Sequence, residues 1–580
     1  MRLLWHVEPA MFRENPLSVK AWLGWIVQEI RASRAVGAPL KQGLVASQPA
    51  CRHVNGAIPG GLDYQRPVLQ REVLATARFN RFAHARDLFD NTCNFLTNDT
   101  LLSAYHEAAR DFDPDVIISF SENRYLKEAF PRAALLFAEF APYGRMFTRP
   151  ALFLDPSGHQ HTGLLARRLP EMLSGPVSHG TLAALKRLWG THFEEPTRAH
   201  SSGQRLAEWL SEKAAGRKVV LFALQPTDWM TYEGAYETIP LSGLVMRWGA
   251  ALPGGWAACV TCHPHQRLTT EAAGLIGEEF PNIFVAPPDL GAGVSELLLP
   301  HVDAVAAVSS SVGAQAALWG KPVAAYGESS LCGFGYWRLE DLDGAKGLND
   351  TERLLLLRFL THRYCHPLDR LQFEGGYLNG FLEQWRQAGW SHDFFFDQDA
   401  WDPEAAENLL RPAPPKAAAP AAPAPSPGGP HPARKTRVLL LNETGVLHHA
   451  GCLGVTDAHR RMIAARNAEL SDEVDAFEVK RHFDRLFRAH PFKDEPEWFD
   501  RAANFLGGDD CLGPLIDRAD AVAVNGEGSI HHGAGMPYLA LLLAAHRKGR
   551  RTALVNALLQ QVPDAARHPL SMLTRISHHN

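Results

Sequence analysis

The sequence predicts an α/β protein of doubly wound parallel sheets, with two facing domains followed by a third, tethered and partial one. Three observations carry that prediction. Short apolar strands alternate with amphipathic helices from residue 3 onward, the pattern of a parallel sheet covered on both faces. Two later strands run directly into polar turn residues, His263-Pro264 and Ser309-Ser310-Ser311, as strands do when their carboxyl ends open on a ligand. A Pro/Ala tract, Arg411 to Ala433, then separates all of this from a second run of the same pattern.

The first domain, residues 1–200, opens with the strand Leu3 to Val7 and a helix from about Ser18 to Ser33. Strands follow at Gly43 to Ala46, Val116 to Phe120 and Ala133 to Phe137. The second domain, residues 201–410, begins after a polar stretch with the strand Lys218 to Leu224. Gly255 to Cys262 is its next strand, followed by one at Asn282 to Ala286 and a helix over Gly293 to His301. Val305 to Val308 are small and β-branched, as in a strand buried on both faces. A short helix then covers Val312 to Trp319, stopped by Gly320, and Lys321-Pro322 leads into another strand. Helices over Asp350 to Gly389 close the unit. The linker, residues 411–434, cannot pack a core; fully extended it spans about 60–70 Å at 3.1 Å per residue. Residues 435–580 form the third region.

Composition narrows the function. The chain has 580 residues, 46% of them apolar and 21% charged, with a net charge of −5, which describes a globular protein and argues against a nucleic-acid binder. No stretch approaches the ~18 apolar residues of a membrane span, and Glu8-Pro9 interrupts the N-terminal apolar run before a signal peptide forms. A cytoplasmic protein, at most peripheral to the inner membrane, is expected. The eight cysteines are scattered; Cys259 and Cys262 are the only close pair and lack the second pair of a zinc site, so no metal is expected. Asp111, Asp113 and Asp341 belong to chance Asp-x-Asp patterns.

The serine turn before a helix is a ready anion site, because free backbone N–H groups and hydroxyls converge there. His263 reaches the same carboxyl edge, with Arg267 nearby; Cys365-His366-Pro367 repeats the dipeptide but reads as a plain turn. A phosphate, as in a nucleotide, is the ligand this geometry suggests.

The order Gln225-x-x-Asp228 after one strand, His263-Pro264 after the next, then Ser309-Ser310-Ser311-x-Gly313 and Gly320-Lys321-Pro322-Val323, then Gly327 and Gly333-Phe-Gly-Tyr336, resembles the bacterial capsular polysaccharide biosynthesis proteins. These are Kdo-transferase-like glycosyltransferases with two Rossmann domains, the GT-B arrangement. The resemblance covers Lys218 to Trp337, and Met1 to Gly190 by general pattern. It implies a nucleotide-sugar donor, preferably a CMP-sugar such as CMP-Kdo, a glycan or glycolipid acceptor, polysaccharide-assembly partners, and no cofactor or metal. By position the donor phosphate falls to His263, Ser309, Ser310 and Ser311, with Arg267 or Lys321 supplying positive charge. Two positions depart from the family: Cys262 stands where members carry lysine, and Gln315 where they carry glutamate. Those departures favour the rival reading, a non-catalytic glycan-binding or scaffolding protein built on degenerate transferase domains, whereas the intact Gln225-x-x-Asp228, His263-Pro264 and triple-serine order favours the enzyme, which is the reading expected here.

Glycosyl transfer needs a carboxylate as base or nucleophile. Asp228, at a strand's carboxyl end, is the first candidate; Glu122 and Asp155 of the first domain are its rivals, and Glu233 reads as structural.

In the third region, strand Arg437 to Leu441 precedes a glycine-rich turn. Strand Ala519 to Val524 leads into Asn525-Gly526-Glu527-Gly528-Ser529 and His531-His532, ahead of a helix (Met536 to Lys548) and a strand (Thr552 to Val555). This resembles the polysaccharide pyruvyl transferases, whose donor is phosphoenolpyruvate. The glycines let backbone N–H groups approach an anion, and Glu527 is placed for acid–base work. That family uses two facing domains and only the first is evident here, so a truncated product or a binding appendage is expected.

Overall fold

The structure is a computed structural model describing residues 1–10, 16–89, 98–144, 146–237, 239–263, 265–287, 294–335, 338–412, 436–443, 463, 468–493, 495–525 and 536–555. Its contacts divide the chain into two compact units, Met1–Pro420 and Ala421–Asn580.

The first unit contains two sheets. Strands β1 (Arg2–His6), β2 (Lys41–Ser47), β3 (Tyr64–Val68), β4 (Val116–Ser119), β5 (Ala134–Phe140) and β6 (Ala151–Asp155) form the first, in the order β3-β2-β1-β4-β5-β6. All pairs are parallel except β5 with β6. The chain therefore builds outward from β1 in one direction and then crosses to its other side at β4, a Rossmann-like order with a switch point between β1 and β4. The second sheet repeats it: β7 (Lys218–Ala223), β8 (Trp256–Thr261), β9 (Ile283–Val285), β10 (Ala304–Ala307) and β11 (Val323–Ala325) lie in the order β9-β8-β7-β10-β11, all parallel. A last strand, β12 (Cys365–Pro367), returns to the first sheet and pairs antiparallel with β6.

Among the described residues, three strands of this unit, and one of the second (β14, Ala468–Asp475), have no counterpart in the pattern read from sequence. β3 is an edge strand carrying Arg66 and Pro67, so it shows neither an apolar run nor alternation. β6 is buried but too short to separate from its polar loop, and β12 looks like a turn until β6 stands beside it. There His366 is a core residue. Its Nδ1 lies 3.1 Å from the Tyr377 hydroxyl, and burial pushes the ring down to about 3.

One apolar core runs under both sheets and through the C-terminal helices, from Leu3 to Leu410. The other faces carry their own clusters, around Leu4, Val45 and Ile117 in the first sheet and Val220, Phe222 and Val260 in the second. Helix α1 (Pro16–Ala35) packs Trp22 and Trp25 against Trp5 and Phe120, so these tryptophans fill core and not a sugar cleft. The same helix buries Glu29, whose Oε1 accepts from the Ser33 hydroxyl at 2.6 Å. Burial raises its carboxyl from 4.5 to about 7. An acid raised on folding gives full stability below its ordinary value and loses it as pH climbs through the folded one, by about 3 kcal/mol. Glu29→Gln removes the ionisation. Its melting temperature should exceed the wild type's at about pH 8.5 and match it at about pH 4; equal curves at both would refute the buried-acid account.

The second unit has one parallel sheet, β14-β13-β15-β16, from β13 (Thr436–Glu443), β14 (Ala468–Asp475), β15 (Ala521–Asn525) and β16 (Arg551–Val555). Helices Ala476–Ala489, Pro496–Leu506 and Met536–Arg547 close its own core around Leu439, Val522 and Leu541. Because the two cores share no residue, limited proteolysis should cut between Arg411 and Lys435 and leave residues 1–410 folded. A 1–410 fragment that precipitates on its own would show that the second unit completes the first.

Candidate functional site

In the second sheet the chain crosses from β9 to β10 over β7, so the crevice beyond β7 and β10 is the place where an open parallel sheet takes its ligand. Both loops there are joined by one side chain. Gln225, two residues past β7, donates from Nε2 to Ser309 Oγ at 2.6 Å and accepts the Ser309 N–H at 3.0 Å. The Ser309 hydroxyl proton goes to the Thr231 carbonyl at 3.1 Å. Ser309 therefore holds the turn, a different task from the phosphate contact expected of it. Ser310 caps helix α4 (Ser311–Leu318), which follows α2 (Arg81–Leu88) and α3 (Met230–Glu233) in the order used below. Its hydroxyl meets the Val312 N–H at 3.4 Å, a weak contact that leaves it able to turn to a ligand. Ser311 opens the helix beside it.

The loop after β8 joins the same edge. Thr227 N–H donates to Gln266 Oε1 at 2.7 Å, and Gln266 Nε2 donates to Thr227 Oγ1 at 3.2 Å. His263 is half-buried, with the Trp229 ring at 4.9 Å and the His265 ring at 5.1 Å. Its Nδ1 accepts the His265 N–H at 3.2 Å, which places the ring proton on Nε2. Sequence alone missed Thr227 and Gln266; their signal was the Gln three residues after His263.

Asp228 sits in the turn between these loops, half-buried, and among the described residues its carboxylate accepts no hydrogen bond and meets no cation. The first-domain rivals are committed elsewhere. Glu122 accepts from the Thr162 hydroxyl at 2.6 Å and from the His159 and Gln160 N–H groups at 2.5 and 3.0 Å. Asp155 accepts from Ser157, Gly158 and Leu164 N–H and from the Tyr364 hydroxyl, at 2.7–3.1 Å. Burial raises Asp155 to about 6, against the pull of those donors. Both acids pin the loop after β6. Glu233 is fully buried and paired with Arg81 at 2.6 Å.

Lys321 does not share the edge. It precedes β11, at the far end of α4 from the serines, about 12 Å away at 1.5 Å per residue. There it lines a polar cavity with Arg198 and Arg353, and burial together with Arg198 lowers its pKa. Arg267 is exposed beside the His263 loop. Gln315 is 4% exposed and lines a cavity of about 20 Å³ with Glu296, whose carboxylate accepts the Met146 N–H at 3.2 Å. A carboxylate thus stands next to position 315, on the preceding helix. The glycines of the motif serve close approach: at Gly327, with φ +80°, a Cβ would meet the Ala235 carbonyl, and at Gly333 the Leu165 backbone of the first domain.

Of the third region's candidates, Asn525 ends β15, while Gly526, Glu527, Gly528, Ser529, His531 and His532 lie outside the described residues. Among the described residues no helix is long and apolar enough to cross a membrane.

Two Rossmann-like sheets, each with its switch-point loops at a carboxyl edge, make the first unit a doubly wound α/β protein of two domains. Solved structures similar to this chain include KpsC, beta Kdo 2,7 transferase, of Thermosulfurimonas dismutans, at 14% identity over 44% of this chain and 79% of that one, TM-score 0.28. UDP-GlcNAc 2-epimerase from Neisseria meningitidis shares 11% identity over 70% of this chain and 98% of that one, TM-score 0.22. The glycosyltransferase SnogD from Streptomyces nogalater shares 11% over 71% and 96%, TM-score 0.22. No protein-family model and no curated protein matches the chain.

Proposed function

We propose that the first unit is a glycosyltransferase of capsular or surface polysaccharide synthesis, taking a nucleotide sugar, preferably a CMP-sugar such as CMP-Kdo. The observation that carries this is Asp228: an uncommitted carboxylate set between an anion cradle and a donor imidazole at one switch point. The α4 N-terminus, the Ser310 hydroxyl and His263 Nε2–H bind the donor phosphate, with Arg267 adding charge from the rim. Ser309 acts through the turn that Gln225 holds. Asp228 then faces the sugar, as nucleophile or as base for the acceptor. The acceptor is a glycan or glycolipid, no metal or cofactor takes part, and any membrane contact is peripheral on the cytoplasmic side. For the third region the reading is a phosphoenolpyruvate-binding appendage.

Thermal-shift and calorimetric titration with CMP, UDP, GDP and phosphoenolpyruvate tests it. CMP should stabilise the first unit most. Stabilisation by none of the nucleotides overturns the donor site; CMP binding without turnover of CMP-sugar selects the glycan-binding or scaffolding alternative.

A further inference from the structure

The two domains of the first unit close directly where α2 meets α3, with Arg81 on Glu233 at 2.6 Å. A cavity remains where the chain crosses between them. The outgoing connection, from β6 to β7, carries the helix Glu195–Ala199; the returning one, from β11 to β12, carries α5 (Asp350–Phe359). Between these connections and the end of α4 lies a polar cavity of about 290 Å³. Three cations line it, one from each segment: Arg198 on the outgoing connection, Arg353 on α5 and Lys321 just past α4.

Two of the three cations have a carboxylate beside them. Arg198 lies 3.2 Å from Glu194, and Arg353 Nε donates to Asp350 Oδ1 at 3.0 Å. The Asp350 side chain is 92% exposed, so water screens its charge. Lys321 is half-buried, and among the described residues its ammonium makes no ion pair or hydrogen bond. Burial lowers its pKa and Arg198 adds to that; Asp303, which accepts the Val219 N–H at 2.8 Å, pulls the other way. The same positive field reaches His301, lowered by burial and then by Arg198 and Lys321. A cation held in this way gains from an anion brought to it. Asn349 gives its Oδ1 to the Thr351 and Glu352 N–H groups, at 2.9 and 3.0 Å, which leaves its Nδ2 as a further donor. Since that amide caps α5 from within, the side chains and not the helix end supply the attraction.

We propose that this cavity binds the phosphate group of a small phosphomonoester, a sugar phosphate in size, with Lys321 as its central contact. Three cations from three segments suit a tetrahedral group with several free oxygens; a flat carboxylate would be satisfied by one guanidinium fork. Pro300, Trp319 and Leu348 add apolar wall beside the cations, which a sugar ring covers and a bare phosphate does not. The site lies at the far end of α4 from Ser310, so its occupant is distinct from the donor nucleotide. The proposal therefore stands whether or not the first unit transfers sugar. Because the walls come from both connections, an occupant bridges them and stabilises the unit.

Glucose 6-phosphate, added to the full chain, is the probe. It should raise the melting temperature where glucose does not. Acetic anhydride should acetylate Lys321, read by peptide mass spectrometry, and saturating glucose 6-phosphate should slow that labelling while glucose leaves it alone. By calorimetry, Lys321→Gln should weaken glucose 6-phosphate binding on the order of tenfold to a hundredfold and leave CMP affinity unchanged. Ser310→Ala should do the reverse. Lys321 has no partner to lose among the described residues, so without ligand its variant should melt at or above the wild-type temperature. Arg198→Gln, at the rim, should weaken glucose 6-phosphate several-fold. No thermal shift and no protection of Lys321 would overturn the site, as would unchanged affinity in both variants. Inorganic phosphate binding as tightly as glucose 6-phosphate would overturn the sugar-sized occupant. Competition between CMP and glucose 6-phosphate for one site would move the phosphate to the serine edge and overturn the proposal as well. None of these failures touches the transferase reading, which the CMP titration tests separately.

Discussion

Asp228→Asn should cut sugar transfer by a factor of ~10² or more and leave nucleotide affinity nearly unchanged. The change keeps the side chain's shape and removes the charge that either a nucleophile or a base requires. Since no hydrogen bond or cation engages Asp228 among the described residues, the variant should also melt as the wild type does. Steady-state kinetics with a calorimetric Kd checks both halves. Near-normal transfer would move the role into the first domain. Glu122 and Asp155 could take it only by giving up the loop after β6, which their hydrogen bonds hold, so a fall in stability would accompany their replacement even if they had no part in the chemistry.

His263→Ala should weaken CMP binding about tenfold to a hundredfold, because a hydrogen bond to a charged group is worth roughly 1.5–3 kcal/mol. The donor is the ring Nε2–H, with Nδ1 facing the His265 N–H. Ser310→Ala should cost less, since the helix N–H groups and the Ser311 hydroxyl remain beside it. Ser309→Ala should lower the melting temperature more than it lowers affinity, because it breaks the bonds to Gln225 and Thr231. Calorimetry giving unchanged CMP affinity in both His263→Ala and Ser310→Ala would end the phosphate-site claim.

Much of the site is legible in the chain because its signals are local. A serine turn before a short helix, a glycine stop and a small-residue strand each declare themselves within a few residues, so β7, β8, β10 and α4 fall where their patterns put them. β3 and β12 do not, since an edge strand with Arg66 and Pro67 and a three-residue Cys-His-Pro strand exist only through a neighbour. The two His-Pro dipeptides make the same point: His263 sits half-buried at the carboxyl edge of the second sheet and His366 in the core, and nothing within either dipeptide separates them.

What the sequence by itself determined is the doubly wound class, the order of motifs and the identity of the carboxyl edge that carries them, because strand and helix periodicity and turn chemistry act between near neighbours. What only the tertiary structure decided is which members of each motif are spent on the fold. Ser309 and Glu122 spend hydrogen bonds on residues distant in the chain, Asp155 on its own loop and on Tyr364, Lys321 lies a helix length from the serines, and among the described residues Asp228 is left with capacity to act. A polar group can bind a ligand only with bonds it has not already made, and those bonds are set by partners that sequence proximity does not reveal.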